Sequence, residues 1–127
     1  MGKNGLKLLD ISARIEHKSK LDKSKDPTKF FVGSLTSRQM FRIMSKYGDN
    51  TNAEDMAQAA MLFVKFGLKD VKGTLGKGFK LSKDHSLGWE CDAVNDSYLD
   101  TVPIELMSEI ASWVTGMSKV GKKPKKV

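Results

Sequence analysis

The clearest hydrophobic pattern lies near the carboxyl end of the chain. Pro103 suits the first position of a helix there, where its missing N–H is not needed. The apolar residues that follow recur at the three- and four-residue spacing of a helix with one buried face. They are Leu106, Ile110, Trp113, Val114 and Met117. This pattern predicts an amphipathic helix that packs its apolar stripe on a core.

Two earlier helices are predicted by similar spacing together with signals at their ends. Thr36 and Gln39 form the pattern of a capping box, which starts a helix at about residue 37. Gly48 follows its last apolar residue and predicts its end. A second helix is expected from about residue 51 or 52 to Gly67. The predicted apolar faces are Met40, Ile43, Met44 and Tyr47 in the first helix and Met56, Ala60, Phe63 and Val64 in the second.

Short alternating stretches interrupted by glycine predict a small antiparallel sheet. Residues 30–32 form a β-prone run of Phe-Phe-Val. Residues 69–94 favour one or two β-hairpins, with Trp89 and Val94 as candidate buried positions. We therefore expect a single α+β domain over 30–118, in which about three helices pack with a small antiparallel hairpin or sheet.

The excess positive charge lies in the two ends of the chain, which has a net charge of +7. Residues 1–29 contain eight basic and four acidic side chains, and residues 119–127 contain five lysines and no acid. Residues 30–118 contain nine basic and eleven acidic side chains. We expect flexible basic termini: an N-terminal arm or linker over 1–29 and a disordered Lys-rich tail over 119–127. The apolar positions early in the arm fit either a helical face or the start of a strand.

Clusters that would support catalysis or metal binding are sparse. The Gly-Lys-Gly stretch at 76–78 lacks the Ser or Thr of a phosphate-binding loop and predicts a hairpin turn. Five potential metal ligands occur within nine residues, but they lack the paired spacing of a zinc site. They are Asp84, His85, Glu90, Cys91 and Asp92. Two histidines and one cysteine offer little material for nucleophilic catalysis. We expect a protein that is not an enzyme, with no catalytic residues, no metal and no cofactor.

The remaining charged and apolar segments argue against catalysis by paired carboxylates, specific nucleic-acid binding and membrane insertion. Glu105 and Glu109 are four residues apart on the outer face of the last predicted helix, where carboxylates are usually solvated. Lysines without aromatic neighbours give only a weak, non-specific attraction to nucleic acid. No apolar run approaches the ~20 residues of a membrane-spanning helix, and no signal peptide is evident. We expect no membrane association and a cytoplasmic location.

Methionine is the residue type that most favours a binding function. Six internal methionines fall in the three predicted helices, and Met61 and Met107 lie off the main apolar stripes. Adaptable thioethers outside the core suit a surface that holds variable helical partners, with packing at the edge of the core as the alternative. The candidate protein-binding residues are Met61, Met107, Tyr47 and Phe66.

Four short motifs follow one another from residue 26 onward. They are Asp26-Pro27-Thr28-Lys29-Phe30-Phe31-Val32, Leu35-Thr36, Phe66-Gly67-Leu68-Lys69, and Tyr98-Leu99-Asp100-Thr101-Val102-Pro103 leading into Leu106-Met107-Ser108-Glu109-Ile110-Ala111. Over about 26–118 their order resembles small proteins encoded in the tail-gene regions of long-tailed bacteriophages, of the tail assembly chaperone type. The resemblance implies a non-catalytic protein that binds hydrophobic, largely helical segments of the tape-measure protein and keeps them soluble during tail assembly.

Two other functions stay open at this point. One is a structural component of the virion, such as a head–tail connector or a minor tail protein. The other is a small basic nucleic-acid-binding regulator that uses its lysine-rich ends. The expected location is the host cytoplasm, with the virion as a further possibility. The expected partners are phage tail proteins, the tape-measure protein first among them, and self-association is also open.

Overall fold

The computed structural model describes residues 8–47 and 52–118 of the chain. Within these residues the fold is α+β, as the sequence predicts, with four helices and two small antiparallel sheets. The predicted Lys-rich tail at 119–127 lies outside the described residues. The helices are α1 (Ser37–Tyr47), α2 (Ala53–Gly67), α3 (Asp96–Leu99) and α4 (Ile104–Met117). The strands are β1 (Ile15–Lys18), β2 (Lys29–Val32), β3 (Leu68–Lys72), β4 (Leu81–Asp84) and β5 (Cys91–Val94).

The first sheet has β2 at its centre, with β1 and β3 paired antiparallel on either side. Phe30 and Val32 are alternate residues of β2 and are fully buried, as expected for a strand with one face on the core. Residues 15–18, which the sequence analysis assigned to the N-terminal arm, therefore lie in the sheet. Their alternating half-buried and exposed side chains are typical of an edge strand. Four such residues are too few to distinguish a strand from a helical face in the sequence.

The second sheet is the hairpin of β4 and β5 that the glycine-rich region predicts. Gly88 in its turn has a φ of +108°, a conformation that favours glycine, and its N–H donates to the carbonyl of His85 over 2.9 Å. Val94 is buried and Trp89 is partly buried against the core, as predicted. Residues 74–76 form one 3-10 turn before the hairpin, so the Gly-Lys-Gly stretch does not open an α-helix. The prediction of a hairpin turn at 76–78 is wrong, because this stretch connects β3 to β4, which lie in different sheets.

Hydrogen bonds confirm the predicted starts of α1 and α2, whereas Gly48, the predicted stop of α1, lies outside the described residues. The Gln39 N–H donates to Thr36 Oγ1 over 3.0 Å, and the Thr36 N–H donates to Gln39 Oε1 over 2.9 Å. This reciprocal pair is the capping box. At the start of α2 the Asp55 N–H donates to Asn52 Oδ1 over 2.8 Å, and α2 ends at Gly67 as predicted. Local side-chain chemistry therefore sets where these helices begin.

The predicted apolar faces of α1 and α2 are only partly correct. Met44 is 46% exposed and Met56 is 62% exposed, although the periodicity predicts both as core residues. The covered side of α1 is centred on Gln39 and Ile43, and Met44 lies at its margin. Met56 lies near the start of α2, whereas the buried residues of that helix come at its other end, from Val64 onward.

The stripe predicted for α4 packs as expected, and it joins the helices to the first sheet in one core. Leu106, Ile110 and Val114 are buried, while Trp113 and Met117 are partly buried against the core. The most completely buried large side chains come from β2, α1, α2, β3 and α4, together with the loop before α1. They include Phe30, Val32, Leu35, Ile43, Val64, Phe66, Leu68, Ile110 and Val114.

Candidate functional site

An apolar groove lies between α2 and α4 and encloses about 680 Å³. Its lining contains no charged residue and follows α2 over 53–63 and α4 over 104–115. At a rise of 1.5 Å per residue the groove is about 15 Å long, or roughly three helical turns. The large apolar side chains in the lining include Met56, Met61, Phe63, Ile104 and Met107. We call this feature the α2–α4 groove.

Short side chains leave the space in the α2–α4 groove open. Ala57 and Ala60 of α2 line it together with Ser108 and Ala111 of α4. The interior of a folded protein is normally packed with few voids larger than a water molecule. A groove of this volume, lined by alanine, serine and methionine, is therefore a place where side chains from another molecule can pack.

The two helices that form the groove touch directly at Gly67. A Cβ atom added to Gly67 would lie 2.4 Å from Val114 Cγ1 and 2.6 Å from Val114 Cγ2. Because glycine has no side chain, the backbone of α2 rests directly on the side chain of α4 at this point. Thr115, the next residue of α4, lines the groove, so this contact fixes the two helices beside it.

The structure brings together two of the four candidate binding residues. Met61 and Met107 both line the α2–α4 groove, one from each helix. Phe66 is fully buried in the core, so its side chain has no surface for a partner. Tyr47 is partly buried at the end of α1 and does not line the groove.

Met56 and Ile104 are the most exposed large residues of the groove, and the sequence analysis did not name them as binding residues. Their side chains are 62% and 66% exposed. Met56 begins an apolar face of α2 that extends beyond the core, and Ile104 lies off the buried stripe of α4. The sequence did contain a signal for Met56: the apolar face of α2 is longer than the part of the helix that the core covers.

The opposite side of α4 holds the segment that follows β1. Ser19 Oγ donates to Glu109 Oε1 over 2.5 Å, and the Lys20 N–H donates to Glu109 Oε2 over 2.9 Å. The sequence analysis predicts a solvated carboxylate at Glu109 from its position four residues after Glu105. That prediction is wrong, because Glu109 accepts these two hydrogen bonds. His17 stacks on Trp113 with ring centroids 4.4 Å apart and planes at 6°. Burial lowers the pKa of His17, and the charge of Glu109 partly opposes this shift.

An ion pair connects the end of α2 to the second sheet. Lys65 Nζ lies 3.0 Å from Asp84 Oδ2 and 3.2 Å from Asp96 Oδ1. Burial alone would lower the pKa of Lys65, but its hydrogen bonds to the two carboxylates outweigh burial and raise it. Asp84, a potential metal ligand in the sequence, thus takes part in an ion pair that fixes α2.

Within 8–47 and 52–118, no three His, Cys, Asp or Glu side chains form a group that could hold a metal ion. Cys91 is a free, buried thiol. In the same described ranges no helix has both the length and the apolar character needed to cross a membrane. Comparisons with protein-family models, curated proteins and solved structures return no match. The α2–α4 groove is therefore the feature on which a function can be argued.

Proposed function

We propose that this protein is a non-catalytic binding protein that holds an amphipathic helix of a partner in the α2–α4 groove. The observation that carries the proposal is the uncharged, methionine-containing lining of a groove of about 680 Å³ between two helices. Amphipathic helices bind other proteins by laying an apolar face in such a groove, with anchors spaced three and four residues apart. A groove about three turns long accepts three or four such anchors.

The methionines in the groove lining suit a partner helix whose apolar side chains vary from one turn to the next. Met56, Met61 and Met107 all line the groove. Their unbranched side chains adopt many shapes at little cost, and their sulfur atoms are polarisable, so they adapt to different apolar surfaces. A lining of this kind favours binding to a family of related helical segments over one fixed sequence.

The resemblance to phage tail-region proteins supplies the class of partner. We propose that the protein is a tail assembly chaperone or adaptor that binds apolar helical segments of the tape-measure protein. In this role it would cover the apolar face of those segments in the host cytoplasm until the tail tube forms around them. An exposed apolar groove agrees with such a role, because the partner removes the groove from water.

The test is to co-express the full chain with the tape-measure protein of the same phage and to measure how much of that protein stays soluble. The variant combines Met56→Glu with Ile104→Glu, which places two charges in the groove at side chains already exposed to water. The matched control is Leu81→Glu, an exposed apolar residue on β4 outside the groove lining. We expect the groove variant to lose the solubilising activity and the control to keep it.

Three results would contradict the proposal. If the groove variant keeps as much tape-measure protein soluble as the parent does, the groove is not the binding site. Recovery of the protein in purified virions, without effect on the solubility of the tape-measure protein, would favour a structural component. Tight, sequence-selective DNA binding that survives deletion of 119–127 would favour the nucleic-acid-binding regulator, since a lysine tail alone gives only salt-sensitive attraction.

A further inference from the structure

A second apolar surface lies on the outer face of α1. Phe41 is 80% exposed and Met44 is 46% exposed. Aromatic side chains, including phenylalanine, and methionine are enriched in the buried centres of protein–protein interfaces. The outer face of α1 is therefore a candidate contact surface separate from the α2–α4 groove.

The face on α1 is positively charged. Arg38, Arg42 and Lys46 follow one another at four-residue spacing, and α1 contains no acidic residue. Among the described residues, none of these three cations forms an ion pair. Arg38 and Arg42 instead lie against Trp89, with their guanidinium carbons 4.0 and 5.5 Å from its ring centroid, which orders both side chains on the helix.

The groove has carboxylates of the opposite sign at its margin. Glu54 precedes the lining residue Ala57 by three positions, and Glu105 precedes the lining residue Ser108 by three positions. Residues three apart are neighbours on a helix surface, so each helix places an exposed carboxylate beside the groove. α4 contains no Lys or Arg, so no basic side chain of that helix offsets Glu105.

We propose that α1 of one copy docks through Phe41 in the α2–α4 groove of a second copy, so that the protein associates head to tail with itself. This inference rests on the proposed function, in that the groove must accept a helix. The 11 residues of α1 span about 16 Å, close to the length of the groove. Phe41 and Met44 fill the apolar lining, while Arg38 and Arg42 face the carboxylates at its margin.

The contact joins two different surfaces, so it is heterologous. Each pair of copies leaves one α1 face and one groove unused, and further copies can add until a ring closes. A helix from a partner competes with α1 for the same groove. Binding of the partner therefore dissociates the assembly, and self-association keeps the groove covered while no partner is present.

Two variants that each break one side of the contact give a direct test. Phe41→Glu removes the docking residue, and Met56→Glu with Ile104→Glu blocks the groove. Sedimentation equilibrium from micromolar to millimolar protein is expected to show concentration-dependent assembly of the parent and of the Leu81→Glu control. Loss of a central contact residue weakens association by roughly 30-fold or more, so each variant alone is expected to need at least about 30-fold more protein than the parent to assemble to the same degree.

The mixture of the two variants decides the matter. The Phe41→Glu chain keeps an intact groove and the groove variant keeps an intact α1, so an equimolar mixture is expected to form a one-to-one heterodimer and nothing larger. Formation of this dimer also proves that both variants are folded. A monomeric parent, a monomeric mixture, or assembly unchanged by either variant would overturn the inference.

The outcome is separable from that of the proposed function. A monomeric parent whose groove still solubilises the tape-measure protein overturns only the self-association. A heterodimer that forms as expected, together with a groove variant that solubilises as well as the parent, supports the self-association and contradicts the proposed function.

Discussion

Gly67→Ala is expected to destabilise the protein, although alanine is the better helix former. In open space this change stabilises a helix by about 1 kcal/mol. Here the added Cβ would lie 2.4 and 2.6 Å from the two methyl groups of Val114. Val114 is fully buried and β-branched, so it has little freedom to turn away. Overpacking a core site costs about 1–3 kcal/mol, and contacts this short place the net loss near 2 kcal/mol.

The companion change Val114→Ala tests whether this contact is the cause. Alone, it removes two buried methyl groups and leaves a cavity, with a loss of about 2–3 kcal/mol. In the double variant the methyl group added at position 67 occupies the vacated space. Independent effects would give a total loss of about 4–5 kcal/mol, whereas we expect about 2–3 kcal/mol and a coupling of about 2 kcal/mol.

Urea unfolding of the four proteins, followed by tryptophan fluorescence, gives the free energies for this cycle. The matched control is Gly116→Ala, because Gly116 also lies in a helix but a Cβ added there meets nothing within 4 Å. This control is expected to be neutral or stabilising by up to about 1 kcal/mol. Stabilisation by Gly67→Ala, or additivity of the two changes within about 0.5 kcal/mol, would refute the reasoning.

Three further predictions concern the start of α1, the segment after β1 and the titration of His17. Thr36→Ala removes the acceptor for the Gln39 N–H and is expected to lower the free energy of unfolding by about 1 kcal/mol, measured by urea titration. Glu109→Ala removes the acceptor for the two donors that follow β1, so β1 amides are expected to exchange hydrogen faster than in the parent while α2 amides do not change. Burial lowers the pKa of His17 below its ordinary value of 6.5, so the unfolded chain takes up the proton first as the pH falls. The contribution of His17 to stability is therefore full above pH 6.5 and is lost as the pH falls through the lowered pKa. His17→Phe keeps a ring on Trp113 and should remove this part of the pH dependence in unfolding titrations at pH 5–8.

The starts of α1 and α2 were predictable from the sequence because the hydrogen bonds that fix them are local. Thr36 and Gln39 are three residues apart, and their two hydrogen bonds form within one turn. The position of β1 was not predictable in this way, because its support comes from distant parts of the chain. Ser19 and Glu109, which hold the segment after β1, are 90 residues apart.

For the candidate site, too, the features within one helix were predictable, whereas the packing of one helix on another was not. Met61 and Met107 are predicted as binding residues because each lies off the main apolar stripe of its own helix. That they share one groove depends on how α2 packs on α4, which the spacing within either helix does not determine. Phe66 was named as a binding residue and is buried, since the end of α2 that carries it lies on the core.

In the proposed function, the stability of the monomer and the binding of a partner helix place opposite demands on the groove. Leucine in place of Ala57 or Ala60 would bring more apolar surface between α2 and α4, at roughly 25 cal/mol for each Å² removed from water. The chain instead leaves Met56 and Ile104 largely in water beside those alanines. That arrangement forgoes stabilisation within the monomer, and it becomes favourable once another helix covers the lining. Binding should therefore raise the stability of the helix pair itself, because a partner in the groove supplies the packing that α2 and α4 lack alone.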